Sequence, residues 1–309
     1  MLPLRHGVGP STVVLPGGHH GRWATLAEFL AHRFPAVSHA QWMERMARGE
    51  VVDAQGHPVD PAHPFIAQQR YHYYREWPDE PRVPFKETVL FEDEWLLVAD
   101  KPHFLPVTPK GKHVRETLLA RLRDRTGLAE LSPIHRIDRE TAGLVVFAKQ
   151  RTTRHAYQQL FAQGAVHKVY EAIVPLPAPP RAAPPLMQPW VRRSRLEPAG
   201  HFMQMRESAE AQAQPNAETR ITAIEQRGHW LRLQLEPRTG KRHQLRVHLM
   251  ALGMPIAGDR IYPVLAPEGS DRHDDPLRLL ARDIGFVDPV TGAAREFRSA
   301  HTLAWPIDR

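Results

Sequence analysis

Apolar positions along the chain come in short bursts, first with helical and later with alternating spacing. Thr25-Leu26-Ala27-Glu28 predicts a helix start, with Thr25 accepting the third amide and Glu28 reaching back to the Thr25 amide. Leu26, Phe29 and Leu30 form its apolar stripe, and Pro35 ends it. Ser38-His39-Ala40-Gln41 repeats the cap, Trp42 and Met46 share a face, and Gly49 is the stop. Val51-Val52 and Val59 flank a turn at Asp53-Ala54-Gln55-Gly56, and Arg70 to Trp77 reads as a strand. These signals predict a small helix–helix–hairpin domain over residues 23–80. A flexible arm, residues 1–22, is expected before it, because Gly9-Pro10 and Gly17-Gly18 interrupt any pattern. A linker from Pro78 to Pro84 follows.

Beyond the linker, strand-sized runs dominate. Thr88–Phe91, Trp95–Ala99, Leu144–Lys149, Lys168–Val174, Glu218–Ile224 and Trp230–Leu235 read as strands. Trp230 to Leu235 alternates apolar and polar side chains, which predicts one buried face. Helices are expected over Arg115–Arg123, Arg151–Phe161 and Arg242–Leu252. Residues 175–216 are rich in proline and then polar, and read as an insertion within a second domain spanning 81–309. Strands outnumber helices and many are hairpin neighbours, so the expected class is α+β with a mostly antiparallel sheet.

Composition narrows the function. The 309 residues are 42% hydrophobic and 24% charged, ordinary for a globular chain of about two domains. No apolar run approaches the roughly 20 residues of a membrane helix, and the N-terminus has no continuous apolar segment of a secretory signal. There is no cysteine, which excludes disulfides, thiolate metal sites and thiol nucleophiles together. A cytoplasmic location is the expectation. The net charge is +7, and the cations are overwhelmingly arginine, which suits a phosphate-bearing partner. A genome rich in G and C, which inflates Arg, Ala and Pro together, would produce the same bias, so charge alone does not choose.

Two segments carry candidate chemistry. In Pro133-Ile134-His135-Arg136-Ile137-Asp138-Arg139-Glu140-Thr141-Ala142-Gly143-Leu144 a carboxylate lies between two arginines. A nearby cation keeps such a carboxylate ionised and available as nucleophile or base. An isolated string of this type is more often a surface ion pair. In Pro237-Arg238-Thr239-Gly240-Lys241-Arg242-His243-Gln244-Leu245-Arg246-Val247-His248 a glycine precedes a helix rich in basic groups. Free amides at a helix start with Lys and Arg beside them attract anions. Lys241 and Arg242 read equally well as a solvated face, whereas Arg246, between Leu245 and Val247, does not.

These residues resemble the RluA-type pseudouridine synthases. His135-Arg136-Ile137-Asp138 with Thr141-Ala142-Gly143-Leu144 is similar to the family's catalytic motif, with Ile137 and Ala142 in place of Leu and Ser. Val89 to Asp93, then Val98-Ala99-Asp100-Lys101-Pro102, is similar to its opening strand pair, although His103-Phe104 replaces a small pair. Lys168-Val169-Tyr170, the Thr239 to His248 segment, and a closing motif made of Gly258-Asp259 with Tyr262 and then Pro289 to Gly292, follow in the family's order. Five motifs in order over residues 85–309 make the match specific. The unit over 23–80 resembles, more loosely, the small S4-like RNA-binding domain that often precedes this catalytic domain.

The resemblance implies an RNA pseudouridine synthase acting on structured ribosomal or transfer RNA as a monomer, without cofactor, metal or membrane. It implies Asp138 as the catalytic carboxylate, Arg246 as its ion-pair partner and Tyr170 as the ring beside the uracil. Three roles stay open for Asp138: attack on the sugar, attack on the base, or removal of a sugar proton. Arg136 is similar to the residue that fills the gap left by a flipped base. RNA contacts are expected from His135, Arg139, Thr141, Lys168, Lys241, Arg242, His243, Gln244 and His248. Two other classes compete: a non-catalytic RNA-binding protein on this fold, and a carboxylate-dependent nucleosidase or glycosidase. The first is disfavoured by the presence of Asp138, Tyr170 and Arg246 together, and the second needs a second acid.

Overall fold

A computed structural model describes the chain except residues 1, 19–20, 76–79, 112, 179–184, 211, 268, 270–271 and 308–309. The chain divides into two compact units. The first comprises Met1–Pro81, Pro109–Arg115 and Ala120–Ala129, and the second Arg82–Thr108, Glu116–Leu119 and Glu130–Arg309.

In the first unit, β1 (Ser11–Val14), β2 (Val51–Val52) and β3 (Arg70–Tyr73) form an antiparallel sheet in the order β1-β3-β2. Helices α1 (Leu26–Arg33) and α2 (His39–Ala47) complete it. Thr25 caps α1 by accepting the Glu28 amide, and Ser38 and Gln41 form a reciprocal capping box on α2. Leu26, Phe29, Leu30, Trp42 and Met46 bury themselves against Val51, Tyr71 and Tyr73. The expected arm over residues 1–22 is partly a strand. Ser11 pairs with Tyr73 and Val13 with Tyr71, and Val13 and Leu15 join the core. A strand of four residues flanked by Gly and Pro has little signal of its own and is fixed by its partner. The strand expected to reach Trp77 ends at Tyr73, and residues 76–79, including the start of the expected linker, lie outside the described residues.

The compact units do not follow that linker. Val8, Val114 and Ala120 pack together, and Gly7, at φ 70°, lies so close to the Ala120 carbonyl that a Cβ would sit 1.9 Å from its oxygen. The first unit therefore takes in residues well beyond 80.

The second unit contains β4 (Thr88–Glu92), β5 (Leu96–Lys101), β6 (Ser132–Pro133), β7 (Ala142–Ala148), β8 (His167–Pro175), β9 (Trp190–Ser194), β10 (Leu196–Pro198), β11 (Met205–Glu207), β12 (Ala217–Arg227), β13 (Trp230–Pro237), β14 (Leu279–Val287) and β15 (Ala294–Arg298). Helix α3 (Leu118–Thr126) is divided between the units, and α4 (Arg154–Ala162) and α5 (Gln244–Ala251) belong to the second. Ten strands form one mixed sheet with the path β4-β5-β7-β14-β8-β13-β12-β9, while β15 pairs with β14 and β6 with β7. Among the described strands of this sheet only β7 and β14 pair in parallel, so the sheet is mostly antiparallel and the class is α+β. Every residue of β7 is buried, as its unbroken apolar run requires. Along β13, Leu231, Leu233 and Leu235 point into a core shared with Leu245 and Leu249 of α5.

The described residues of 175–216 contain regular strands. They supply β9, which extends the main sheet by pairing with β12, and the β10–β11 hairpin. The basic cluster Arg192 to Arg195 falls mostly on β9, where Arg192 pairs with Glu207 and Arg193 with Glu218. Two of its three arginines are thus paired with acids within the fold.

Where β7 begins, Gly143 (φ 111°) lies against β14, and a Cβ would fall 2.2 Å from the Ala281 carbonyl oxygen. No side chain fits there without moving backbone. Gly143→Ala is expected to lower unfolding free energy by about 2 kcal/mol or more, as read from urea denaturation. An unchanged midpoint would show that the two strands can part at no cost.

Candidate active site

The site lies in the second unit, where the loop joining β6 to β7 meets the start of α5. Arg246 decides its geometry. On α5, residues Gln244 to Leu249 are all buried, so the Arg246 guanidinium has no route to solvent and is only 1% exposed. A buried cation must be neutralised within the protein. Three carboxylates do this. Asp259 accepts from Nε at 2.8 Å and from Nη2 at 2.6 Å, Glu140 accepts from Nη2 at 3.0 Å, and Asp138 accepts from Nη1 at 3.3 Å. Burial opposes the charge on Arg246, but the Asp259 hydrogen bonds and the three negative charges outweigh it and raise its pKa above the ordinary value.

The three carboxylates differ in what they have left. Asp259 is 1% exposed at its side chain, and its Oδ1 also accepts from the Ile261 and Tyr262 amides. Glu140 is 11% exposed at its side chain. Asp138 is 31% exposed and makes the longest of the bonds to Arg246. It is therefore the carboxylate with an open face, bonded to a cation that the other two help to balance.

The loop carrying Asp138 is pinned from beneath. Lys101, at the end of β5 and fully buried, donates to the Pro102 and Arg139 carbonyls at 2.9 and 3.0 Å. Burial pushes its pKa down to about 7, with Asp138 and Glu140 opposing the shift. His103 donates from Nδ1 to the Glu140 carbonyl at 2.6 Å, and the Thr141 amide donates to the Asp138 carbonyl at 3.1 Å. Gly258 (φ 75°) lets the segment carrying Asp259 pass against the Pro276 carbonyl, where a Cβ would sit 2.3 Å from the oxygen.

Two rings complete the site. Tyr170 on β8 packs against the core beside α5, and burial, then the Asp138 charge, raise its pKa and keep it a neutral phenol. His243, at φ 54° just before α5, places Nε2 3.9 Å from Asp138 and Nδ1 2.9 Å from the Tyr262 hydroxyl. Tyr262 Oη accepts from the Met205 amide at 2.7 Å. A tautomer with the proton on Nε2 satisfies both contacts of His243, because Tyr262 then donates to Nδ1.

The expected site residues sort into three groups. Asp138, Arg246, Tyr170 and His243 converge. Arg136, Lys241 and Arg242 are exposed, while Arg139 is partly exposed, near Phe104 and Glu140. Lys168 is half-buried, and burial lowers its pKa. The remainder are turned inward and bonded within the fold, whereas the sequence reading expects them as RNA contacts. His135 stacks on Phe161 with ring centres 4.7 Å apart and accepts from the Val146 amide through Nε2. Gln244 bonds Thr239, Thr219 and the Glu218 carbonyl, and His248 bonds Ser194 and Thr219. Thr141 is 2% exposed. These side chains tie the loops to the sheet. Helix α5 also starts at Gln244 rather than Arg242, because His243 adopts a left-handed conformation. Lys101, Glu140 and Asp259 lie within quoted motifs, yet nothing local marks them as partners of Arg246 or of its loop.

The histidines give a pH signature. Burial first, in each case, pushes the pKa of His103 down to about 4, His135 to about 3, and His243 and His248 to about 4. In the unfolded chain each takes its proton near pH ~6.5. Between these values the unfolded state binds more protons, so stability falls as pH drops from about 6.5 towards 4. Lys101 has the same sign at higher pH, adding stability as pH rises from about 7 towards 10.5. Urea midpoints at pH of about 7, 6 and 5 should decrease in that order, and His248→Gln should flatten the slope. A midpoint independent of pH over this range would show that these imidazoles titrate as they do in water.

Comparison with known proteins agrees with this arrangement. The RNA pseudouridylate synthase sequence profile matches residues 95–251, which hold Asp138, Tyr170 and Arg246. An uncharacterized RNA pseudouridine synthase of Synechocystis is 30% identical over 248 residues, 77% of this chain and 79% of that one. The dual-specificity RNA pseudouridine synthase RluA of Vibrio cholerae is 31% identical over 214 residues, 68% of this chain and 80% of that one. The solved structure of human RNA pseudouridylate synthase domain containing 4 superposes with a TM-score of 0.52 at 26% identity, covering 70% of this chain and 88% of that one. The chain belongs to the RNA pseudouridylate synthase family of isomerases. Among the described residues no helix is long and apolar enough to cross a membrane.

Proposed function

We propose that the chain converts specific uridines of structured ribosomal or transfer RNA to pseudouridine, with Asp138 as the catalytic carboxylate and the target base flipped towards Tyr170. The observation that carries this reading is that Asp138 is the one carboxylate around Arg246 with an open face. The isomerisation breaks the N1–C1′ bond, forms C5–C1′, moves a proton onto N1 and releases the C5 proton to solvent. No electrons are exchanged and no group is lost, so a carboxylate, a neutral ring to hold the uracil and a fixed cation supply what the reaction needs. Arg136, exposed on the same loop, is suited to stack in the gap the base leaves. Lys241 and Arg242 are suited to the phosphates flanking the target. The relatives named for dual specificity favour more than one RNA as substrate.

A hydrolase would need a second acid free to protonate or activate water. Asp259 and Glu140 are the carboxylates at hand, and both are held by Arg246. The test uses ribosomal and transfer RNA transcripts carrying tritium at uridine C5. Tritium release with pseudouridine in the digest, and no free uracil, is expected. Free uracil would indicate hydrolysis, and RNA binding with no release of either would indicate a binding protein. Cytoplasmic location and monomeric action belong to the same reading, and size-exclusion chromatography with light scattering tests the latter.

A further inference from the structure

The first compact unit holds a basic hollow that the reaction above does not use. It has a volume of about 210 Å³ and is lined by Arg5, His6, Val8, Tyr74, Arg75 and Arg115, all within that unit. Two of these side chains leave the chain on a tight turn. Arg5 and Val8 exchange backbone hydrogen bonds of 3.0 and 2.9 Å, and His6 (φ 50°) and Gly7 (φ 70°) are both left-handed. A histidine held at positive φ costs free energy, and such outliers gather where a side chain must be presented in one direction. The guanidinium of Arg5 lies 4.2 Å from the centre of the Tyr74 ring, and the Tyr74 hydroxyl donates to the Pro3 carbonyl at 2.7 Å. The Glu80 carboxylate accepts from the Val114 and Arg115 amides at 2.7 and 2.9 Å, which fixes where Arg115 leaves the backbone.

The hollow is short of negative charge. Glu50 is 4.0 Å from Arg5 but already accepts two bonds from Arg48, at 2.9 and 3.0 Å. Nε of Arg75 is buried and has no hydrogen-bond partner among the described residues. An unsatisfied buried donor is costly, and an acceptor from outside the chain is one way to satisfy it. Three arginines around one hollow repel one another unless an anion lies between them. Guanidinium forks match tetrahedral oxyanions, and the volume is several times the ~30 Å³ share of a water molecule. We propose that this hollow seats a phosphate group of the RNA backbone. The proposal rests on the RNA-modifying reading above.

The test is equilibrium binding of an RNA stem-loop to the full chain over a range of salt, for the wild type, Arg75→Gln, Arg115→Gln and Arg75→Lys. Each Gln variant is expected to bind about five- to tenfold more weakly and to lose about one from the slope of log K against log salt. The single-turnover rate at saturating RNA should stay at the wild-type value, and Arg75→Lys should keep the slope. Arg115 is exposed, so Arg115→Gln decides the question even if Arg75→Gln fails to fold. In a second arm, the melting temperature is followed with inorganic phosphate against chloride at equal ionic strength. A phosphate-specific rise lost in the Gln variants, with RNA binding unchanged, would assign the hollow to free phosphate and overturn the RNA assignment. Unchanged affinity and slope without such a rise would overturn the proposal entirely. If the wild type bound RNA without isomerising it, the functional reading would fail while both arms still decided the hollow.

Discussion

Asp138→Asn is expected to remove isomerisation, by at least about 10³-fold in the single-turnover rate, while the protein stays folded and binds RNA within about tenfold of wild type. Asn keeps the shape of the side chain and loses its charge. The fold tolerates the change because Asp259 and Glu140 still neutralise Arg246 and make the shorter bonds to it. Asp138, partly open and bound at 3.3 Å, contributes least to that balance. Stability from urea denaturation should therefore shift little. A variant that turns over at near-normal rate would end the assignment of Asp138 as the reactive group. A variant that unfolds would show that Asp138 is structural.

Arg246→Lys should fail in the opposite way, losing stability as well as rate. The guanidinium uses Nε, Nη1 and Nη2 towards three acids that lie in different directions. A lysine ammonium is a single point at the end of a flexible stem and cannot meet all three. At least one buried carboxylate then loses its partner, and breaking a buried ion pair typically costs about 3–5 kcal/mol. The rate should also fall by about 10²-fold or more, because Asp138 is no longer held in place. Unfolding free energy and single-turnover rate measured on the same preparation check both losses. If the rate fell with stability intact, Arg246 would act on RNA and not as the centre of the carboxylate cluster. The contrast between the two variants separates a reactive carboxylate from the scaffold that balances it.

Much of this arrangement was legible in the chain because it is written locally. The Thr25 side-chain cap, the capping box at Ser38, the Trp42/Met46 face and the alternation from Trp230 to Leu235 depend on neighbours within a few residues, and each appears in the structure, although Glu28 reaches back to the Ala24 amide and not to that of Thr25. The burial of Arg246 was foreshadowed by its place between Leu245 and Val247. The inward turn of His135, Gln244 and His248 was not, since a polar side chain in a basic motif looks the same whether it meets RNA or a buried threonine. Only the packed sheet supplies Phe161, Thr219 and Ser194 as their partners.

By itself, the sequence determined the family, the class of sheet and the order of its motifs, because period, turn chemistry and motif spacing are properties of neighbouring residues. The tertiary structure decided which acids face Arg246 and how far each is buried. Asp138 and Asp259 stand 121 positions apart in the chain, and both bond one guanidinium. It likewise decided that Ser11–Val14 is a strand, and that Val8 packs with Val114 and Ala120. Each of these is a long-range pairing whose free energy appears only once distant segments meet, so no local pattern encodes it.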